Sequence, residues 1–322
     1  MSSETLNVVV KRRELQGDSI VVLELVNSSG APLPAFDAGA HIDLHLDSGL
    51  IRQYSLCGDP SSLDSYRLGV LRDPASRGGS TAVHDQLREG HRVTISAPRN
   101  HFPLFAAAKH SILVGGGIGI TPMLAMACDL YGRGASFELH YCARSRAHCA
   151  FLAELATAPW VDRVHLHMDD EGEAQRFEPA TALLKAPADA HLYVCGPAGF
   201  MEWVMSGART GGLAETQIHR EYFSAPATPG DTSDVAFEVV AQRSGKTFTV
   251  EAGQTLVQAL IQVGIAVNVS CEQGVCGTCL CDVLEGEPDH RDVYLTAAER
   301  AANDQMLVCC SRARSARLVL DL

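Results

Sequence analysis

The sequence predicts a multidomain protein: an antiparallel β-barrel, then an α/β domain on a parallel sheet, then a small α+β domain. Three observations carry this. Short β-branched runs between turn clusters fill the first hundred residues, with no long helical pattern. Strands then alternate with helices, and a linker of prolines and small residues precedes a last segment built around closely spaced cysteines. At 322 residues the chain is long for one core. The expected parts are residues 1–105, 106–226 and 227–322.

In the first part, Asn7–Val10, Ser19–Leu25, His41–Leu46, Tyr66–Leu71 and His91–Ile95 read as strands of a closed barrel. Arg52, Tyr54 and Ser55 sit on a further strand and offer a charge, a flat ring and a hydroxyl. Arg77-Gly78-Gly79-Ser80-Thr81 opens a short helical run, Thr81–Leu87, and so forms an anion nest at a helix N-terminus. Either stretch alone is ordinary strand or loop chemistry. Together they resemble the flavin domain of the ferredoxin–NADP reductase superfamily, and the short loop ending in Gly-Gly-Ser resembles its FMN-binding branch. That resemblance implies that Arg52, Tyr54, Ser55, Gly78, Gly79, Ser80 and Thr81 contact FMN. It also implies that Gly69, Val70 and Leu71 lend backbone groups to the flavin ring.

After Pro98 and Pro103 the pattern becomes βα alternation. Ser111–Val114 is a buried-strand run followed by Gly115-Gly116-Gly117-Ile118-Gly119-Ile120-Thr121-Pro122-Met123 and an apolar helix to about Tyr131. A strand, a glycine turn and a helix start make a cradle for a pyrophosphate, with Thr121 expected as N-cap and Pro122 as the first helical residue. Ile120 stands where the usual dinucleotide fingerprint has its last glycine. The form is nonetheless similar to that of the same superfamily, where the threonine reaches the flavin edge.

Further strands are Phe137–Tyr141, Val164–Met168 and His191–Val194, and their polar turns lie where an open parallel sheet binds ligands. Cys195-Gly196-Pro197 resembles the superfamily's nicotinamide-side turn, which places Cys195 near the hydride path; a small buried residue is the plain alternative. Arg144 and Ser145 would meet the adenosine or pyrophosphate end. Arg146 leaves NADPH open, whereas Asp169 and Asp170 would repel its 2′-phosphate, so NADH is the expected cofactor. Glu221-Tyr222-Phe223 closes this part, and the superfamily resemblance gives Phe223 the role of packing on the flavin ring.

Ser224–Asp234 reads as a linker. Beyond it Val235–Gln242 and Thr247–Val250 form a hairpin, Thr255–Val263 an amphipathic helix and Arg317–Leu322 a last strand, the outline of a ferredoxin-like β-grasp. Between them Cys271, Cys276 and Cys279 have the C-x4-C-x2-C spacing of a plant-type [2Fe–2S] cluster, with Cys309 downstream as fourth ligand. Gly274 and Gly277 would let the loop turn tightly around the sulfides. Structural zinc and scattered buried thiols are the competing readings. Resemblance to Val-Cys-x-Ser-Arg-Ala favours Cys309 over Cys310, and Cys281 would point away on the outgoing strand.

Eleven cysteines, an odd number, suit a reducing compartment, and the N-terminus has no apolar leader pattern. The most apolar run, Ile112 to Ala127, is too short and too broken by glycine to span a bilayer, so a cytoplasmic protein is expected. A net charge of −12 argues against nucleic acid and anionic membranes as partners. Residues 229–322 carry 13 acidic and 7 basic side chains, half of that net charge on under a third of the chain. Besides solubility, this would steer a basic protein partner.

The order of flavin, nicotinamide and C-terminal ferredoxin motifs covers the whole chain. It resembles the family of phthalate dioxygenase reductase and the vanillate O-demethylase reductases. The resemblance implies an electron-transfer component that runs from NADH through FMN and a [2Fe–2S] cluster to a separate terminal oxygenase of Rieske type. A reductase of the same build serving another acceptor, such as a non-Rieske monooxygenase, is the alternative. A redox sensor with vestigial nucleotide sites would differ in failing to turn over NADH.

Overall fold

Alternating apolar and polar residues drive the first strands: in β1 (Thr5–Gln16) Val8 and Val10 are fully buried while their neighbours face outward. The structure, a computed structural model, describes residues 5–322 apart from 48, 75–77, 185 and 225–234. Arg77 and the expected linker beyond Ser224 lie outside the described residues. β2 (Ile20–Asn27), β3 (Ala40–His45), β4 (Ile51–Ser55), β5 (Tyr66–Leu71), helix α1 (Gly79–Gln86), β6 (Arg92–Ser96) and the short β7 (Arg99–Asn100) follow. All strand pairs are antiparallel, in the order β4-β3-β6-β1-β2-β5, with β7 on β3. The two edges meet through an antiparallel bridge between Leu56 and Leu68 and a 2.9 Å bond from the Cys57 N–H to the Arg67 carbonyl. That closure leaves β4 and β5 side by side, which brings the two flavin-motif strands together.

The second sheet is parallel. β8 (His110–Gly116), α2 (Ile120–Gly132), β9 (Phe137–Ala143), α3 (Leu152–Thr157), β10 (Val164–Met168), α4 (Pro179–Leu183), β11 (Ala190–Cys195), α5 (Ala198–Thr210) and β12 (Ile218–Glu221) give the strand order β10-β9-β8-β11-β12. One core includes barrel residues such as Leu44 and Ile95 and parallel-sheet residues such as Leu113, Leu139 and Tyr193. A second core packs Ile112, Leu192 and Val194 under Met201, Val204 and Met205 of α5. Because the barrel and the parallel sheet share apolar contacts, the chain divides into two compact units, Met1–Phe223 and Ser224–Leu322.

The second unit contains β13 (Phe237–Ala241), β14 (Lys246–Val250), α6 (Leu256–Gln262), β15 (Leu280–Glu285), β16 (Pro288–Asp289), α7 (Ala297–Ala302), β17 (Gln305–Leu307), β18 (Arg312–Ala313) and β19 (Arg317–Leu320). Its mixed sheet runs β14-β13-β19-β15-β17, with β13 and β19 parallel, and α6 grasped against it: the β-grasp arrangement. Thr255, where the expected helix begins, caps α6 through a reciprocal pair with Gln258.

Two helix starts differ from expectation. α2 begins at Ile120 with Gly119 as its cap, because the turn Gly117–Gly119 is already 3₁₀ and runs straight into it. Thr121 is therefore inside the helix, and its hydroxyl donates back to the Ile118 carbonyl at 3.0 Å. α1 starts at Gly79, two residues before the expected Thr81. Its cap, Gly78, takes a left-handed conformation with φ of 87°, and no side chain caps the helix. Among the described residues, no helix is long and apolar enough to cross a membrane.

Candidate functional site

The two barrel motifs converge. A Cβ on Gly79 would meet the Arg52 side chain at 2.5 Å, so Arg52 lies across the glycine turn. Gly78 and Gly79 with α1 above them thus place backbone N–H groups beside a guanidinium, a cradle for a phosphate. Ser80 is buried, and its hydroxyl accepts the Asp73 N–H at 3.1 Å, which anchors the turn. Thr81 follows on the same helix. Next to this cradle, Tyr54 is half-buried on β4.

The barrel floor meets the nucleotide loop at Gly69. A Cβ there would touch Thr121 at 2.9 Å and the Phe151 ring at 3.0 Å, so Thr121 rests directly on β5. Of the flanking residues, Val70 turns its carbonyl to the His84 ring at 2.9 Å, and Leu71 ends the strand. At the carboxyl ends of the parallel strands the backbones press together. Gly119 would place a Cβ 2.2 Å from the Cys195 carbonyl, and Gly116 would meet the Phe200 ring at 2.6 Å. Gly117 has φ of 55° and open space above it, as a turn under a pyrophosphate requires. Gly115 packs on Ile120, while Gly196 and Pro197 carry the chain from β11 into α5.

Cys195 is fully buried, and burial, with the nearby Glu221 carboxyl adding to it, holds its thiol well above the usual range, hence neutral. In register across β11 and β12 stands Glu221, whose carboxylate oxygen accepts a 3.2 Å bond from the Ser55 hydroxyl of the barrel. The residue is half-buried. Desolvation raises its pKa to about 8, with the Ser55 bond opposing. Sequence reasoning gave Glu221 no role, and nothing in Glu221-Tyr222-Phe223 marks the carboxylate, because its partners come from strands far away in the chain. Phe223 is 39% exposed, an aromatic face open for stacking. Phe151, also missed, holds a left-handed φ of 65° and packs against Gly69 while its N–H bonds Gln16 at 2.7 Å.

Arg144, Ser145 and Asp169 form a separate, outer group at the ends of β9 and β10. The Asp169 and Asp170 N–H groups donate to the Ala143 and Arg144 carbonyls at 3.0 and 3.2 Å, stitching the two turns together. Ser145 pairs with His148 at 2.7 Å.

In the second unit four thiols gather. Cys271 lies within hydrogen-bonding reach of Cys276 and Cys309, and Cys309 within reach of Cys279. Cys276, Cys279 and Cys309 are buried. Gly274 and Gly277 both have φ of 71°. A Cβ on Gly277 would fall 2.4 Å from the Tyr294 ring, and one on Gly274 would fall 2.5 Å from Cys310 Sγ and 2.8 Å from Asp292 Cα. The loop is thus held in a left-handed turn by what surrounds it, with the Val293 N–H bonded to the Gly274 carbonyl at 3.0 Å. Among the described residues no three His, Cys, Asp or Glu side chains are arranged for a single metal ion. Cys281 faces the other way, its thiol toward the Asp282 carbonyl. Cys310 adjoins Cys309 and also reaches Ser311.

Residues 239–314 match the family described as 2Fe-2S iron-sulfur cluster binding domain. The whole fold and its cysteine site define an iron–sulfur oxidoreductase on a ferredoxin-reductase scaffold. The chain is 51% identical over 318 residues to a vanillate O-demethylase oxidoreductase of Pseudomonas sp. strain HR199, covering 98% of this chain and 100% of that one. It belongs to the vanillate O-demethylase oxidoreductase family. Among solved structures, phthalate dioxygenase reductase, a modular structure for electron transfer from pyridine nucleotides to [2Fe–2S], superposes with a TM-score of 0.76 at 38% identity over 99% of this chain and 98% of that one. An intact type IV self-sufficient cytochrome P450 monooxygenase superposes with a TM-score of 0.86 at 38% identity, over 99% of this chain and 41% of that one.

Proposed function

We propose that this chain is the reductase component of a two-component oxygenase, drawing on NADH and serving a Rieske-type terminal oxygenase, with FMN and a [2Fe–2S] cluster as its cofactors. In this reading residues 1–105 hold the flavin, 106–226 the nicotinamide nucleotide and 227–322 the cluster. The reading rests on one observation above all: Gly69 and Ser55 of the barrel touch Thr121 and Glu221 of the parallel sheet, beside Cys195. A flavin ring on the barrel would there face a nicotinamide at the sheet's carboxyl ends.

Arg52, Gly78, Gly79, Ser80 and Thr81 would hold the flavin phosphate, and Tyr54 and Phe223 would flank the ring beside the backbone of Gly69, Val70 and Leu71. Gly115, Gly116, Gly117 and Gly119 would bind the nucleotide pyrophosphate, Gly196 and Pro197 would shape the nicotinamide end, and Arg144, Ser145 and Asp169 would meet the adenosine end. Cys271, Cys276, Cys279 and Cys309 would ligate the cluster. A bound flavin supplies exchange between a two-electron hydride donor and a one-electron carrier, which is why it belongs between the other two. The chain's own contribution is positioning: Thr121 and the neutral Cys195 lie buried at the junction, and desolvation raises the pKa of Glu221 beside them to about 8.

Likeness to a self-sufficient P450 monooxygenase supports a second reading, in which a haem monooxygenase is the acceptor. An anaerobic titration tests the first half: NADH should bleach flavin and iron–sulfur absorption together, and release of FAD, a colourless protein or unbleached bands would overturn it. Mixing the reduced protein with a Rieske oxygenase and with a P450 monooxygenase tests the second. Faster oxidation by the P450 would overturn the Rieske assignment.

A further inference from the structure

At the outer end of the nucleotide cleft, the turns after β9 and β10 carry opposed charges. Arg146 Nε donates to Glu171 Oε1 at 2.5 Å and its NH2 group donates to Oε2 at 3.2 Å, a two-pronged pair. The side chains are 55% and 35% exposed, so the pair sits on the rim, open to a ligand. Backbone bonds from Asp169 and Asp170 to Ala143 and Arg144 fix the turns that carry it. Glu171 thus closes an acidic turn, Asp169-Asp170-Glu171, and is the member bonded to the arginine.

A planar guanidinium in this place has two possible uses. Unpaired, its fork would fit a phosphate monoester dianion two-prongedly. Paired with Glu171, its Nε–H and one NH2 hydrogen are committed to a carboxylate, and a phosphate binding that fork would have to displace the carboxylate beside an acidic turn. Like charge at that distance disfavours it, and the exchange returns no bond that Arg146 lacks. A ribose 2′-hydroxyl bears no charge and suffers neither cost. We propose that Glu171 is the selectivity residue of the nucleotide site: by occupying Arg146 it makes the site accept an adenosine with a free 2′-hydroxyl and refuse one with a 2′-phosphate. The inference rests on the reading of this cleft as the NADH site, and extends it to a residue and a device. It turns Arg146 from a feature that favours NADPH into one held out of use.

The experiment compares full-length wild type, Glu171→Ala, Arg146→Ala and the double variant. Two readouts are taken on each preparation: the ratio of kcat/KM for NADPH over NADH with ferricyanide as acceptor, and the Kd of 2′,5′-ADP relative to 5′-ADP by calorimetry. Glu171→Ala should raise both preferences for the 2′-phosphate by at least about tenfold, the size of one charge-assisted hydrogen bond gained. The double variant should lose that gain, since no arginine remains to be released. Unchanged ratios in Glu171→Ala, or a gain that survives in the double variant, would overturn the proposal. Ratios cancel any general loss of folded protein. The calorimetric arm needs no hydride transfer, so a protein that binds adenosine nucleotides but never oxidises NADH would sink the functional reading while still deciding the role of Glu171.

Discussion

Glu221 and Cys309 show how much a single side chain owes to neighbours far away in sequence. Glu221 is in contact with Ser55 across 166 residues, and its pKa is raised from 4.5 to about 8, chiefly by desolvation. The sign follows from proton counting: the folded chain binds more protons than the unfolded one between those values. The stabilising contribution of the neutral carboxyl is complete below pH 4.5 and is lost as pH rises through 8. Glu221→Gln should flatten the stability profile over that window in urea unfolding of the cofactor-free chain, and the variant should gain on wild type above pH 8. Parallel profiles would show that Glu221 ionises normally. For the cluster, Cys309→Ser should abolish the visible iron–sulfur spectrum, while Cys310→Ser and Cys281→Ser should keep it. The opposite pattern in ultraviolet–visible spectra would reassign the fourth ligand.

At the scale of elements, the loops were more legible than the helix starts. Gly274 and Gly277 were readable as glycines needed for a tight cysteine loop, and both adopt the left-handed backbone. Which atoms enforce this, Tyr294 and Asp292, is decided by packing and has no signature in the loop itself. Gly277→Ala combines the left-handed penalty of roughly 1–2 kcal/mol with a steric clash against the ring, so iron content per chain should fall severalfold. Full iron occupancy measured in that variant would mean the loop has room it does not show. Thr121 misled for a physical reason: Thr-Pro is a strong N-cap signal, but Gly117–Gly119 had already begun to coil, and the helix had no need of it. The polar end of β1, from Lys11 to Gln16, is similarly unmarked, because it is pairing with β2 that makes it a strand.

Over the whole molecule, the cores decide what folds together. The barrel and the parallel sheet share one apolar core, while Phe237, Val239, Leu256, Leu260, Leu307 and Leu318 belong to another, entirely within the second unit. Fragments 1–223 and 224–322 should therefore each fold alone: the second should purify brown with its cluster, and the first should keep NADH-dependent ferricyanide reduction. Cooperative thermal unfolding of each fragment is the check, and a molten or insoluble second fragment would contradict separate cores. A further cut near residue 105 should unfold both pieces, because it divides a shared core.

By itself the sequence determined the order of the three parts, the spacing of the cysteines, and the glycine turns after β5 and at the end of β8. These are local: spacing, turn chemistry and hydrophobic period act over a few residues and leave their mark there. Only the tertiary structure decided that Arg52 crosses Gly79, that Thr121 rests on Gly69, that Glu221 meets Ser55, and that Arg146 is engaged by Glu171. Each joins residues that chain closure and sheet order bring together, and such partners are invisible in a linear pattern because nothing in either residue's neighbourhood depends on the other.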